Sequence, residues 1–178
     1  RNGVEMYDVY TGFKWIANVM RENEGKKNYI GGGEESYGFL CEDFVRDKDA
    51  VSACVILAEI AAWAKDQGLS LYQLLQKIYV EYGFSKEKGI SVVKKGKSGA
   101  EEIEAMMKKF RENPLTEIAG SKVTYFYDYS TLKGKDYAEN ETVTLDMPTT
   151  SNVLQYFTED NTKVSIRPSG TEPKIKFY

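Results

Sequence analysis

Three stretches of the chain carry apolar residues at the spacing of an α-helix: residues 11–23, 50–67 and 70–82. The first begins at Thr11, whose hydroxyl is suited to cap a helix N-terminus. The second is apolar on more than one face, which predicts a helix buried against a sheet and capped by Asp49. The third places Ser70 and Gln73 at the spacing of a capping box. The first 83 residues are therefore predicted to be mainly helical.

Beyond residue 84 the pattern changes to the alternation of β-strands. Residues 90–93 predict a strand, and Ser98 with Glu101 forms a second capping box, which predicts a helix ending at Glu112. Residues 122–129 alternate, so we expect their tyrosines on one side, packed against that helix. Further short strands are predicted at residues 4–10, 29–30, 153–157, 163–166 and 174–178. A strand, a helix and then several strands are typical of a small α+β domain.

The segment at residues 84–89 is short, charged and flanked by glycines, and it marks a boundary between two units. We therefore place the boundary at about residue 88 and expect residues 88–178 to form the α+β unit. Of the 178 residues, 42% are hydrophobic and 13% are aromatic, which is enough for a packed interior. The net charge of −3 argues against a dedicated nucleic-acid binder. No apolar run is long enough to span a membrane.

The chain contains no histidine and two cysteines. Without histidine it cannot itself build a Ser–His–Asp or Cys–His nucleophilic system, or a histidine-ligated metal site. Any acid or base that it supplies must be a carboxylate, a lysine or a tyrosine. Cys41 and Cys54 are expected to be reduced thiols, which favours a cytoplasmic location. Cys54 lies in an apolar helical pattern and is expected to be a small residue of the protein core.

The stretch from Arg167 to Tyr178, RPSGTEPKIKFY, has the composition of an anion-binding turn. Arg167 supplies a planar guanidinium that matches a phosphate or a carboxylate. Ser169 and Thr171 add hydroxyls on either side of Gly170, which can let successive backbone N–H groups point into one concavity. Such a loop suits a phosphate monoester. A tight turn between two strands with an incidental arginine is the alternative interpretation of the residue types.

Residues 167–173 resemble the phosphate-binding loop in the last domain of the α-D-phosphohexomutases, the phosphoglucomutases and phosphomannomutases. A second match lies upstream, where residues 33–38, GEESYG, resemble that family's sugar-binding loop. Two matches in the correct order are more specific than either alone. The similarity runs through nearly the whole chain, and it implies that the chain is only the C-terminal part of such an enzyme. Many relatives carry a histidine shortly after the serine of this loop, whereas here Tyr37 and Gly38 follow it.

The resemblance implies roles for particular residues. Glu34 and Ser36 match the family's sugar contacts, and a carboxylate can accept hydrogen bonds from two neighbouring sugar hydroxyls. Thr11 and Gly12 resemble a further loop beside the sugar, with an ordinary turn before a helix as the alternative. Lys48 matches a substrate-contacting lysine, with an exposed charge cluster as the alternative. The resemblance assigns the phosphate to Arg167, Ser169, Gly170 and Thr171.

The resemblance also implies the fold and the chemistry. Residues 1–87 would be the C-terminal part of the third domain, a mixed α/β sugar-binding domain. Residues 88–178 would be the fourth, phosphate-binding domain, a small α+β domain similar to the TATA-binding-protein fold and truncated at its C-terminus. The full-length enzyme is expected to interconvert hexose 1-phosphate and hexose 6-phosphate through a phosphoserine and a hexose 1,6-bisphosphate, with Mg²⁺ bound outside this chain.

The chain itself is expected to contain no catalytic residue and no metal site, and to be inactive alone. It has no Asp-Gly-Asp-x-Asp-Arg sequence for Mg²⁺, and the family's phosphoserine lies in the first domain. Its partners would be the hexose phosphate and the missing N-terminal domains, with no nucleic acid and no membrane. Glucose, mannose and pentose phosphates all stay open as substrates. The alternative from another class is a non-catalytic phosphosugar-binding or anion-binding module.

Overall fold

The computed structural model describes residues 3–94, 96–170 and 172–178. The chain divides into two compact units, unit 1 up to Ser85 and unit 2 from Lys86 onwards. Unit 1 combines helices with one short strand pair, and unit 2 is an antiparallel sheet with a helix. The chain therefore has the expected α/β plus α+β fold class.

The described residues of unit 1 form three helices and a two-stranded hairpin: α1 Phe13–Asn23, β1 Gly32–Gly33, β2 Phe39–Leu40, α2 Ala50–Asp66 and α3 Leu71–Tyr82. Strands β1 and β2 pair antiparallel. A small core joins α1 to the hairpin, built from Phe13, Met20 and Leu40. The Tyr29 hydroxyl donates a hydrogen bond to the Leu40 carbonyl at 2.9 Å. This core fixes the start of α1 next to the hairpin turn.

Helices α2 and α3 begin at the capping residues that the sequence predicted. The Asp49 carboxylate accepts hydrogen bonds from the backbone N–H groups of Ser52 (2.9 Å) and Val51 (3.1 Å). These bonds hold the pKa of Asp49 below its ordinary value. The Gln73 N–H donates to Ser70 Oγ at 3.2 Å, and the Ser70 N–H donates to Gln73 Oε1 at 2.8 Å. The predicted capping box at α3 is therefore confirmed.

Replacing Ser70 with alanine is expected to lower the free energy of unfolding by about 1 kcal/mol, because the Gln73 N–H loses its acceptor at the start of α3. Urea denaturation followed by helical circular dichroism measures this change. Ser85→Ala is a matched control, since Ser85 is exposed and lies outside every helix. Equal losses in the two variants would contradict the capping role of Ser70.

Two strands and one burial prediction for unit 1 are wrong. Residues 4–10 and 29–30 do not form strands, because no neighbouring strand in the described part of unit 1 pairs with their backbone groups. Helix α2 is not buried, and among its residues Ala64 is the buried one. Residues 3–85 form only the two-residue strands β1 and β2, which cannot cover α2. The following apolar side chains of α2 are exposed: Val51, Val55, Leu57 and Trp63.

In unit 2 the described residues form one sheet and one helix. Its elements are β3 Ile90–Val93, α4 Gly96–Glu112, β4 Glu117–Ile118, β5 Ser121–Asp128, β6 Lys133–Asp136, β7 Glu141–Thr144, β8 Leu154–Thr158, β9 Lys163–Pro168 and β10 Lys174–Phe177. The strand order is β3-β10-β9-β8-β5-β6-β7, and β4 pairs with β5 at the side. Neighbouring strands in this sheet are antiparallel. The predicted hairpin around residues 169–173 is confirmed, since β9 and β10 are adjacent.

The core of unit 2 lies between α4 and one face of the sheet. The Tyr156 hydroxyl donates a hydrogen bond to the Phe110 carbonyl of α4 at 3.0 Å. Burial raises the pKa of Tyr156 to about 12, so this donor keeps its proton at neutral pH. The buried side chains of this core are Ile103, Met107, Val123, Leu154, Tyr156, Ile166 and Ile175.

Two details of unit 2 differ from the sequence-based expectation. Helix α4 ends at Glu112 as predicted, but it begins at Gly96, so Ser98 lies inside the helix and does not cap it. The strand register shifts between Val123 and Tyr125. As a result Val123 joins the core, whereas the rings of Tyr125 and Tyr127 pack against Phe157 at 6.4 and 5.1 Å between centroids. The prediction that these tyrosines pack against the helix is wrong.

The turn between β8 and β9 has a pH-dependent contribution to stability. The Thr158 hydroxyl and the Thr162 N–H donate hydrogen bonds to the Asp160 carboxylate, which lowers its pKa from 3.8 to about 2. Because folding lowers this pKa, ionised Asp160 stabilises the fold above about pH 4, and the contribution is lost as the pH falls through about 2.

Asp160→Asn is therefore expected to destabilise the protein at neutral pH and to lose this disadvantage in acid, since asparagine does not titrate. Urea midpoints of the two proteins, measured from about pH 5 down to about pH 2, should converge as the pH falls. Midpoints that stay equally far apart over this range would show that the Asp160 carboxylate has no lowered pKa.

Candidate functional site

Glu34 begins the turn that joins β1 to β2. Its N–H donates a hydrogen bond to the Gly38 carbonyl at 2.8 Å, and the Tyr37 N–H donates to the Glu34 carbonyl at 3.1 Å. Tyr37 has a φ of 71°, a left-handed conformation that is uncommon for a residue with a Cβ. Its side chain is 97% exposed, and Ser36 is exposed beside it. The turn therefore holds Glu34 at its base and presents Ser36 and Tyr37 at its tip.

The carboxylate of Glu34 lies inside unit 1, and this side chain is only 8% exposed. The Gly12 N–H donates to Oε1 at 2.8 Å, and Lys48 Nζ lies 3.7 Å from Oε2. Gly12 is the residue that precedes α1, so the carboxylate also lies at the positive end of the helix dipole. The structure thus brings together three residues that the resemblance assigned to the sugar: Glu34, Gly12 and Lys48.

Thr11 is not the helix cap that the sequence predicted. Gly12 occupies the N-cap position with a φ of 119°, and no side chain caps the helix. This φ lies in the left-handed region that favours glycine, which explains why the boundary falls at Gly12. The Thr11 hydroxyl instead donates to Glu35 Oε1 at 3.2 Å. Thr11 therefore connects the start of α1 to the turn that carries Glu34.

Lys48 reaches the turn from the segment before α2. Its Nζ lies 5.0 Å from the centroid of the Phe13 ring and 3.5 Å from Asp47 Oδ1, in addition to its ion pair with Glu34. Phe13 is 4% exposed and belongs to the core of unit 1. Lys48 is therefore held by specific contacts and is not only part of an exposed charge cluster. The sequence did not predict the contact between Lys48 and Phe13, because the helical pattern that places Phe13 in the core does not show which side chain packs on its ring.

The turn between β9 and β10 contains the residues predicted to bind phosphate. The Ser169 N–H donates to the Lys174 carbonyl at 2.8 Å, and the Glu172 N–H donates to Ser169 Oγ at 3.3 Å. Gly170 is exposed, and a Cβ built on it would meet no atom within 4 Å. Packing within the protein therefore does not require glycine here. The predicted residue Thr171 lies outside the described residues.

Arg167 lies on β9 directly opposite Lys176 of β10. Side chains of directly opposed residues point to the same face of a sheet, so two cations are neighbours on this hairpin. Arg167 Nη2 donates to the Tyr178 hydroxyl at 3.4 Å, and Lys176 Nζ lies 5.6 Å from the centroid of the Tyr178 ring. Sequence reasoning did not assign Lys176 and Tyr178 to the site, although the alternation along β10 places them on the face of Arg167.

An ion pair stabilises the turn between β9 and β10. Lys174 pairs with Glu172 at its end, and the hydrogen bond from Lys174 holds the pKa of Glu172 below its ordinary value. The Glu172 carboxylate is therefore ionised at neutral pH and is paired with Lys174 at the end of the hairpin turn.

Neither a metal site nor a membrane segment is part of this arrangement. Among residues 3–94, 96–170 and 172–178, no group of three or more His, Cys, Asp or Glu side chains is placed to hold a metal ion, so these residues do not fit a Mg²⁺ site. In the same residues no helix is both long and apolar enough to cross a membrane. Cys41 is half-buried and Cys54 is exposed, so the prediction of a core position for Cys54 is wrong.

Related sequences match nearly the whole chain. The family model "Phosphoglucomutase/phosphomannomutase, alpha/beta/alpha domain III" matches residues 1–82. A phosphoglucomutase of Staphylococcus aureus (strain bovine RF122 / ET3-1) is 41% identical over 177 residues, which is 99% of this chain. The chain belongs to the phosphohexomutase family. A phosphoglucomutase of Staphylococcus haemolyticus (strain JCSC1435) is 38% identical to this chain over 175 residues, or 98% of it.

The chain spans about a third of the length of these curated relatives, since the alignments cover 32% of each. Among solved structures, the open form of pp63/parafusin from Paramecium, described as an exocytosis-sensitive phosphoprotein and a phosphoglucomutase, has a TM-score of 0.59. The match covers 99% of this chain and 29% of that chain, at 18% sequence identity. At this identity the likeness concerns the fold alone.

Proposed function

We propose that the chain is the substrate-recognition portion of a phosphohexomutase that interconverts hexose 1-phosphate and hexose 6-phosphate. The observation that carries this proposal is the buried Glu34 carboxylate, held between the Gly12 N–H and Lys48 in the unit that the family model matches. In this proposal the sugar contacts are Glu34, Ser36, Thr11, Gly12 and Lys48, and the phosphate contacts are Arg167, Ser169, Gly170 and Thr171.

The sugar site combines a buried acceptor with an exposed hydroxyl. Each oxygen of an ionised carboxylate can accept two hydrogen bonds, so Glu34 keeps capacity for sugar hydroxyls while it accepts from the Gly12 N–H and forms an ion pair with Lys48. Ser36 is exposed and can donate or accept. A mutase must hold its sugar in two orientations. Contacts to hydroxyls that look alike after the sugar turns over suit this requirement.

The hairpin of unit 2 suits the phosphate that is not reacting. Arg167 and Lys176 are neighbouring cations, and an arginine forms charge-assisted hydrogen bonds with phosphate oxygens. Phosphoryl transfer depends mainly on positioning and on stabilising charge. Binding of the remote phosphate therefore orients the reacting end of the substrate.

The groups that perform the transfer belong, in this proposal, to the intact protein. Residues 1–87 are the C-terminal part of its third domain, residues 88–178 are its fourth domain, and the chain is inactive alone. A phosphoserine donates the phosphoryl group, hexose 1,6-bisphosphate is the intermediate, and the protein works in the cytoplasm. Mg²⁺, bound outside this chain, supplies charge stabilisation during the transfer. The described residues of this chain bind and orient the substrate.

The test is a mutase assay on the intact protein that contains this chain. Glucose 1-phosphate, mannose 1-phosphate and ribose 1-phosphate are supplied in turn with Mg²⁺ and a trace of the corresponding bisphosphate, and the isomerised product is measured. We expect turnover of at least one hexose phosphate. Binding of the sugar phosphates without turnover would instead support a non-catalytic binding module. If the protein neither binds nor turns over any of these sugar phosphates, both the mutase and the binding module are contradicted.

A further inference from the structure

Gly38 lies where the turn after β1, the lysine before α2 and the first turn of α1 meet. A Cβ built on Gly38 would lie 2.6 Å from Lys48 Cδ, 2.7 Å from Glu34 Oε2 and 3.1 Å from Phe13 Cε2. Carbon atoms that are not bonded pack at roughly 3.5–4.0 Å. A methyl group at Gly38 would therefore overlap with all three side chains. The φ of Gly38 lies outside the left-handed range, so the requirement for glycine is one of space.

We propose that Gly38 is a positioning residue for the sugar site, an inference that rests on the proposed function. Because Gly38 has no side chain, the stem of Lys48 can cross the turn and bring its ammonium group to 3.7 Å from the Glu34 carboxylate. The Gly38 carbonyl also accepts the Glu34 N–H at 2.8 Å. The Gly38 carbonyl thus positions the Glu34 backbone, and the absence of a side chain at Gly38 leaves room for the Lys48 stem.

Of the three neighbours, Lys48 is the one that can move. Phe13 is 4% exposed and forms part of the unit 1 core, and Glu34 is 8% exposed and bound to the Gly12 N–H. The Lys48 side chain is 48% exposed, and its stem is flexible. An alanine at Gly38 therefore displaces Lys48 towards solvent and separates its ammonium group from Glu34. The effect of the alanine reaches the substrate through Lys48.

The experiment is a double-mutant cycle on the intact protein with glucose 1-phosphate, comparing Gly38→Ala, Lys48→Ala and the double variant. We expect Gly38→Ala and Lys48→Ala each to raise KM about tenfold, with a smaller change in kcat, because a lysine contact made in both ground state and transition state affects binding. The double variant should raise KM by clearly less than the roughly hundredfold product of the two single effects, since the alanine then has no lysine to displace and only its overlaps with Glu34 and Phe13 remain.

Gly31→Ala is the matched control. A Cβ built on Gly31 has its nearest contacts at 3.5, 3.7 and 3.8 Å, which are ordinary van der Waals distances. This variant should change KM by about twofold at most. Melting temperatures of all variants separate a local effect on binding from a loss of folding. If Gly38→Ala alone does not fold, the proposal still requires the double variant to fold, with a KM within about tenfold of that of Lys48→Ala.

Three results would overturn the role of Gly38: a KM for Gly38→Ala equal to that of Gly31→Ala, a further tenfold loss in the double variant relative to Lys48→Ala, or a double variant that does not fold. Failure of the proposed function looks different. If Lys48→Ala and Glu34→Gln both leave KM and kcat unchanged, the sugar site itself is wrong. If they raise KM and Gly38→Ala does not, only the positioning role is wrong.

Discussion

Replacing Arg167 with alanine in the intact protein is expected to lower kcat/KM for glucose 1-phosphate roughly ten- to hundredfold. A hydrogen bond to a charged group contributes about 1.5–3 kcal/mol, and about 1.4 kcal/mol corresponds to a factor of ten in rate. We expect both kcat and KM to change, because binding of the remote phosphate also orients the reacting end. Steady-state kinetics with a coupled assay for glucose 6-phosphate measures both parameters.

Two further variants make the result for Arg167 specific. Arg167→Lys keeps the charge and loses the planar fork, so it should retain part of the activity that Arg167→Ala loses. Lys163→Ala removes a cation from the other end of the same strand, where Lys163 is exposed, and should change kcat/KM by about twofold at most. An unchanged kcat/KM for Arg167→Ala would remove this arginine from the site. Melting temperatures show whether the loss of its contact with Tyr178 alters the fold.

Glu34→Gln in the intact protein is also expected to lower kcat/KM roughly ten- to hundredfold. Glutamine has nearly the same shape and can still accept from the Gly12 N–H, but it carries no charge to pair with Lys48. Hydrogen bonds from sugar hydroxyls to a neutral amide are weaker than those to a carboxylate, and the amide N–H groups cannot accept. The loss should appear in the same steady-state assay, with the melting temperature as a check on folding.

The neighbouring carboxylate supplies the control for Glu34. Glu35→Gln makes the same chemical change one residue away, at an exposed side chain whose carboxylate accepts from the Thr11 hydroxyl. Its kcat/KM should stay within about twofold of the wild-type value. Equal losses in Glu34→Gln and Glu35→Gln would indicate a general disturbance of the turn and would contradict a specific sugar contact at Glu34.

Local patterns predicted the helices, the capping residues of α2 and α3, and the hairpin of β9 and β10 well. These features depend on residues close together in sequence, such as Asp49 with Ser52 or Ser70 with Gln73. The resemblance to a known family added Glu34, Gly12 and Lys48, which the structure places in contact although 22 residues separate Gly12 from Glu34. Spacing alone contains no information about such a contact.

Other features depend on packing partners that a local pattern does not show. The apolar faces of α2 predicted burial, but the described residues of unit 1 provide no sheet to cover Leu57 or Trp63. The alternation of residues 122–129 concealed a register shift after Val123, which separates the core from the tyrosines. The space required at Gly38 depends on the meeting of three separate segments, and it is apparent only from the coordinates.

A crystal structure of the intact protein with glucose 1-phosphate bound tests the central claim most directly. The account predicts a Glu34 carboxylate oxygen at about 2.6–3.2 Å from a sugar hydroxyl, and the Arg167 guanidinium at a similar distance from a phosphate oxygen. A ligand that contacts neither residue, with the Glu34 carboxylate still enclosed by Gly12 and Lys48 alone, would contradict it.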